Sequence, residues 1–290
     1  MEIILSINTV QTTITRPVIC YGIGVHSGKK TQLTMKPAPA DTGIVFIRSD
    51  VTSVTNVIQA SYNMVSDTML STTVKNDANI AISTIEHVMA ALWGYGIDNV
   101  IIEVDGPEVP ILDGSSAPFL FLIECAGIKT VNSPRKVIKI LREVEIMHKD
   151  AHIVASPSDI FSINMEIDFQ SKAIGRQSMI CLDQSMFRDE IASARTFGFM
   201  HEVEYLKNKG LAQGASLENA IGIDKDEVLN PEGLRFENEF ARHKLLDAVG
   251  DFYTAGCHII GKFHCSKSGH HTDNELLRAI FSDSNNYQLL

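Results

Sequence analysis

Glu239-Phe-Ala-Arg-His-Lys-Leu-Leu-Asp-Ala-Val-Gly-Asp251 is the stretch around which the rest of the chain falls into order. Its spacing predicts a helix on which Glu239, His243, Asp247 and Asp251 stand four residues apart. At about 100° per residue the row drifts by only about 40° per step, so the four side chains leave from nearly one side. Leu245, Leu246, Val249, Phe252 and Tyr253 fill the rest of the circumference and give the helix a surface to bury. Two uses of the polar row stand open. An imidazole and a carboxylate one turn apart can grip a single divalent metal; the same residues can also form a hydrogen-bonded row on a solvated face.

At 290 residues the chain is long enough for one large or two ordinary domains. Hydrophobic residues make up 44% and charged residues 21%, an ordinary globular balance. The formal charge of −10 argues against a nucleic-acid binder, although a few lysines suffice to hold a phosphorylated small ligand. Cys20, Cys125, Cys181, Cys257 and Cys265 are odd in number, scattered and without a Cys-x-x-Cys pair, which suits free thiols in a reducing cytoplasm. Met-Glu-Ile-Ile-Leu-Ser-Ile-Asn at the start has no basic residue and no long apolar run, so no secretory signal is expected there. No apolar stretch approaches 18 residues, and no transmembrane segment is expected.

Outward from the opening helix, the N-terminal part reads as short strands and turns. Gly22-Ile-Gly-Val-His-Ser-Gly28 followed by Lys29 and Lys30 fails the phosphate-loop spacing at Ile23 and Lys30, and a hairpin turn is expected instead. Ser83-Thr-Ile-Glu-His-Val-Met-Ala-Ala-Leu-Trp-Gly94 reads as a helix closing near Gly94 or Gly96. Here Ser83 and Glu86 have the spacing of a capping box, which is the local reading of Glu86. A strand at 99–104 and a helix at 117–126 follow. The polar, proline-bearing 131–136 segment is the expected domain boundary. Strands are then expected at 136–146, 152–155 and 161–169, a helix at 185–194, a strand at 257–265, a turn at 266–270 and a helix at 274–281. His87 before Gly96-Ile-Asp-Asn-Val and His243 before Gly256-Cys-His-Ile-Ile echo one another, so two similar α+β layers around one cleft are expected.

A hydrolytic metal site commonly takes three protein ligands and leaves a position for water. His87 is the strongest partner for His243 and Asp247, because Glu86 beside it would place a proton acceptor near that water. Other histidines compete. His148 and His152 lie four apart but read as a surface turn; Cys257 and Cys265 fall on the opposite strand face from His258 and His264. His201-Glu-Val-Glu-Tyr205 is not a His-Glu-x-x-His motif, and His270 and His271 lie together after a strand.

Ser83-Thr-Ile-Glu-His87, Ala194-Arg-Thr-Phe-Gly-Phe199, Arg242-His-Lys-Leu-Leu-Asp-Ala-Val-Gly-Asp251 and Lys267-Ser-Gly-His270 together resemble the UDP-3-O-acyl-N-acetylglucosamine deacetylase family. Gly24-Val-His-Ser-Gly-Lys-Lys30, Asp67-Thr-Met-Leu70, Gly96-Ile-Asp-Asn99 and Gly233-Leu-Arg-Phe236 extend the match through almost the whole chain. The resemblance implies a zinc-dependent amidase of lipid A biosynthesis, cytoplasmic and monomeric, with Fe²⁺ as an alternative metal. It implies an α+β fold of two similar domains, 1–132 and 133–290, each a layered sheet and helix pair, with the helices facing each other around a shared cleft. Residues 197–223 would form an insert in the second.

By the same resemblance, His87, His243 and Asp247 are the metal ligands and Glu86 the general base. His270 is the protonated partner of the oxyanion and leaving amine, Asp251 keeps it charged, and Thr196 helps to hold the oxyanion. Lys244 and Lys267 are expected to face the anionic part of the substrate, with Asp168 and Phe169 on the uracil. Phe197, Met200, Val203 and Leu217 would line an acyl passage, with Leu70 and Ser71 at its mouth. Glu239 is left a structural role. Three departures from the family pattern stand out: Gln213-Gly214-Ala215 where relatives carry a second glycine, Ser71 in place of a cysteine, and a short 170–179 segment. A different class, a non-catalytic nucleotide-sugar-binding protein with a structural metal, shares many of these features.

Overall fold

A computed structural model of the chain describes residues 9–52 and 55–290. The N-terminal eight residues, where no secretory signal was expected, lie outside the described residues. The first half builds a five-stranded sheet in the order Val18–Ile23, Lys30–Pro37, Val100–Val104, Ile44–Arg48, Val57–Gln59. Its central strand Val100–Val104 alternates buried and half-buried side chains, as a strand with one better-covered face should. Val18–Ile23 and Lys30–Pro37 form the expected hairpin, with Gly28 left-handed at φ 66° in the turn. The second half builds a seven-stranded sheet around His258–Ser266. That strand begins beside Val137–Ile140, then runs between Ala151–Ser156 and Phe161–Asp168.

Among the described residues, no strand before Val137 pairs with one after it. The polar segment expected as the domain boundary lies at the end of a strand, Ile128–Pro134, antiparallel to Val10–Ile14. Most of its side chains are exposed, so it has no apolar face to announce it, while its backbone pairing needs none. Arg135, buried just beyond, reaches the Asp98 carboxylate at 2.7 Å and the Gly96 carbonyl at 2.7 Å, tying the junction to the end of the Glu86–Tyr95 helix. The strand expected over 136–146 breaks after Ile140 and resumes as Val144–His148. The helix expected at 185–194 is one short α-turn, Gln184–Met186, running into a π-turn over Phe187–Ile191.

Four helices lie between the sheets: Glu86–Tyr95, Ala117–Ala126, Glu239–Tyr253 and His270–Ser282. Glu86–Tyr95 is buried from Glu86 through Gly94, because other helices cover it on more than one side. Its main partner is Glu239–Tyr253. Where the two cross, a Cβ added to Gly250 would lie 2.0 Å from the Glu86 carbonyl oxygen. Only a glycine permits that approach, and Gly250 therefore sets how closely the helices carrying His87 and His243 stand. Gly250→Ala is expected to cost about 3 kcal/mol or more in urea unfolding, with weakened metal retention, since the helices must part.

Glu239 begins the second of these helices fully buried. Its carboxylate accepts hydrogen bonds from Arg195 Nε at 2.9 Å and from the backbone amides of Arg195 at 3.0 Å and Arg235 at 2.6 Å. It is a structural bracket, as expected. The last helix begins at His270 rather than near 274. Gly269 and Thr272 close its first turn, with Gly269 N donating to Thr272 Oγ1 at 3.0 Å. His270 is thus the first residue of a helix and not part of a free turn.

Candidate active site

The capping box expected at Ser83 and Glu86 does not form. Ser83 Oγ donates to the Pro107 carbonyl at 3.3 Å, Thr84 is left-handed at φ 59°, and the helix starts at Glu86 without a side-chain cap. The Glu86 carboxylate instead turns inward and accepts the Thr72 amide at 3.0 Å. Burial pushes its pKa above the ordinary carboxyl value, against the pull of His270 and His87.

His87 follows Glu86 on the same turn and meets His243 and Asp247 across the helix crossing. His87 Nε2 lies 3.5 Å and His243 Nε2 3.4 Å from the same Asp247 oxygen, Oδ1. One ligand atom from each of the three lies within 4.8 Å of the others. Donors about 2.1 Å from a tetrahedral ion stand about 3.4 Å apart, so the spacing fits a single metal. Asp247 Oδ1 is buried with no hydrogen-bond partner, a costly state that a cation would relieve. The other Asp247 oxygen accepts from Lys244 Nζ at 2.9 Å. Burial opposes ionisation of Asp247, but His243 and Lys244 prevail and hold its pKa well below the usual range. His243 Nδ1 bonds to the Ala194 carbonyl at 3.0 Å, which leaves the Nε2 lone pair facing the other donors. Burial lowers its pKa to about 4, so it is neutral and available to a metal.

Beyond Asp247 on the same helix, Asp251 is not part of the cluster. Its Oδ2 meets His270 Nδ1 at 2.7 Å, and its Oδ1 accepts from Thr72 Oγ1 at 2.5 Å. Burial alone would lower the His270 pKa; the charge and hydrogen bond of Asp251 overcome it and raise the value to about 10. His270 Nε2 then points at Glu86 Oε1, 4.0 Å away. A neutralisable carboxyl and a protonated imidazole thus face one space, which is the spacing of a base and an acid rather than of a locked ion pair.

A cavity of about 280 Å³ opens from Glu86 and His87 past Thr196. Thr196 is fixed through its backbone, its N–H on the Gly114 carbonyl and its carbonyl on the Ile221 amide, both at 2.7 Å. Phe197, Met200, Val203, Leu217 and Leu70 line the apolar remainder, while Ser71 is buried outside it. Phe169 packs edge-on to Phe197 at 5.8 Å between ring centroids. Lys267 Nζ stands 3.5 Å from both Asp168 and Asp150. Lys244, expected to face substrate, is turned back on Asp247, its Nζ 2.9 Å from Asp247 Oδ2.

Sequence reasoning missed three groups here. Thr72 bridges Glu86 and Asp251, yet nothing in its local pattern marks it. His26 lines the cavity from the first hairpin turn, where Glu108 binds the amides of His26 and Ser27 at 2.8 and 2.7 Å. Met200–Asn208 is a helix that presents Met200, Val203 and Leu206 to the cavity at threefold spacing, a signal present in the sequence but not taken up. The competing histidines lie elsewhere. His152 pairs with Glu145 at 2.6 Å, and His258 is a core residue beside Tyr253, its pKa lowered to about 3 by burial. The cysteines and His264 join no ligand cluster among the described residues.

Geometry alone describes a buried His₂Asp candidate metal centre on an α+β frame, with an acid–base pair beside it and an apolar cavity leading away. The profile of the LpxC family, described as UDP-3-O-acyl N-acetylglycosamine deacetylase, matches residues 11–282. The chain is 48% identical over 271 residues to the UDP-3-O-acyl-N-acetylglucosamine deacetylase of Phenylobacterium zucineum, covering 93% of this chain and 92% of that protein. It is 46% identical over 283 residues to the protein of that name from Shewanella oneidensis, covering 97% and 92% respectively. The chain belongs to the UDP-3-O-acyl N-acetylglycosamine deacetylase family.

Proposed function

We propose that this protein is a zinc-dependent amide hydrolase that converts UDP-3-O-acyl-N-acetylglucosamine and water to UDP-3-O-acyl-glucosamine and acetate, in lipid A biosynthesis. The unpartnered Asp247 oxygen facing two imidazole nitrogens is the observation that carries this reading. His87, His243 and Asp247 would hold the ion; the donor set suits zinc and admits Fe²⁺. When bound, zinc supplies Lewis acidity that makes water nucleophilic near neutral pH and polarises the acetamide carbonyl.

The remaining work falls to the chain's own side chains. Glu86 takes a proton from water as its oxygen bonds to the acetamide carbon. His270 and Thr196 steady the developing oxyanion, donors of a kind each worth a few kcal/mol. His270 then gives its proton to nitrogen as the C–N bond breaks, leaving the free amine and acetate. The 280 Å³ cavity is assigned to the 3-O-acyl chain, with Phe197, Met200, Val203 and Leu217 on its wall and Leu70 toward its mouth. Lys267, Asp168 and Phe169 are assigned to the UDP end; Lys244, paired with buried Asp247 at 2.9 Å, is not. Two domains, 1–132 and 133–290, are proposed; the separate sheet memberships support two units and move the division past Pro134, which still pairs with Val10. A cytoplasmic monomer is taken as the working form; no described helix is long and apolar enough to cross a membrane.

The pH profile tests the acid–base pair. Glu86 must be ionised, so activity rises with pH through its raised pKa; His270 must be protonated, so activity falls as pH rises through its own. Removing the Asp251 anion lowers the His270 pKa toward the ordinary histidine value. Asp251→Asn is therefore expected to move the alkaline limb of kcat to lower pH, with metal content unchanged; an unmoved limb would detach Asp251 from His270. Zinc bound without any acetate release would favour a nucleotide-sugar-binding protein instead.

A further inference from the structure

A second set of ligand-type side chains converges at the surface, away from the cavity. His148 ends the Val144–His148 strand and pairs with Ala151 across a two-residue turn in which Lys149 is left-handed at φ 56°. His271 is the second residue of the His270–Ser282 helix, and Glu275 follows one turn later. The His148 and His271 rings meet nearly edge to face, centroids 4.8 Å apart, and His271 Nε2 is 3.5 Å from Glu275 Oε1. One ligand atom from each of the three lies within 4.8 Å of the others. The deacetylation chemistry uses none of them.

We propose that His148, His271 and Glu275 form a second metal site, for a borderline divalent cation such as Zn²⁺ or Ni²⁺, that fastens the hairpin to the helix carrying His270. One shared dication satisfies both imidazole lone pairs and the carboxylate. His271 and Glu275 are a one-turn chelate, and the third donor arrives on a separate element. Both elements are held in place, the hairpin by its ladder from Val144–Ala155 to His148–Ala151 and the helix by its buried Leu276, Leu277 and Ile280. Two nitrogen donors select Zn²⁺ and Ni²⁺ over Mg²⁺ or Ca²⁺, which prefer oxygen. The site is exposed, and the helix N-terminus and Lys149 both oppose a cation. It therefore fills after the buried His₂Asp centre, and water completes its coordination.

Equilibrium dialysis of protein already holding one zinc ion per chain, against rising Zn²⁺, tests this. Wild-type protein is expected to plateau at two ions per chain with a higher Tm. His148→Ala and, separately, Glu275→Gln are expected to plateau at one ion with no rise in Tm, and with one-zinc turnover unchanged. A wild-type plateau at one ion, or a second ion retained by both variants, would overturn the proposal. So would an equal Tm rise with Mg²⁺, which would mark a general charge effect.

Discussion

Glu86→Gln is expected to lower the kcat for acetate release by about 10²–10⁴-fold, with metal content and Tm close to wild type. The amide side chain matches the carboxylate in size and can still accept the Thr72 amide that orients Glu86, so packing is kept while the proton acceptor is lost. His87, His243 and Asp247 are untouched, which is why the metal stays. Glu86 is also the residue whose burial raises its pKa, and a carboxyl so raised is a better base toward water than one held at the usual value. A variant retaining near wild-type turnover would remove Glu86 from the chemistry.

His270→Ala should produce a second large loss, again about 10²–10⁴-fold in turnover, and again without stripping the metal. The reason lies in the chain of contacts behind it. Thr72 donates to Asp251, Asp251 meets His270 Nδ1, and Nε2 is left facing Glu86. An amine is a poor leaving group unless protonated, and Lys244, a cation close to this space, is engaged by Asp247. Loss of the metal in His270→Ala would instead make His270 a ligand. The Asp251 carboxylate left without its histidine would also be a buried, unpaired charge, so Asp251→Asn/His270→Ala should recover part of any stability lost by His270→Ala, without recovering turnover.

The polar stripe was legible because a helix converts spacing into direction: His243 and Asp247 had to share a side, whatever lay opposite. What lay opposite was not legible from spacing. His87 meets them only because Gly250 lets two helices touch, and that contact spans residues more than 150 apart in the chain. Glu86 shows the limit of local rules most clearly. Its capping-box spacing with Ser83 is a sound helix-start pattern, yet the tertiary partner Thr72 and the left-handed Thr84 take the carboxylate inward. The strand Ile128–Pro134 was hidden for a different reason, since an exposed ribbon has no buried face to impose alternation. Thr72 and His26 belong to short loops and turns whose positions are set by distant carboxylates, Asp251 and Glu108. No periodicity in the sequence carries that information.

The most direct test of the whole account is acetate release from UDP-3-O-acyl-N-acetylglucosamine by purified protein, before and after removal of metal with a chelator and after return of one zinc ion per chain. Turnover that is lost with the metal and restored with one equivalent is the predicted result. Acetate released at the same rate by chelated, metal-free protein would contradict it.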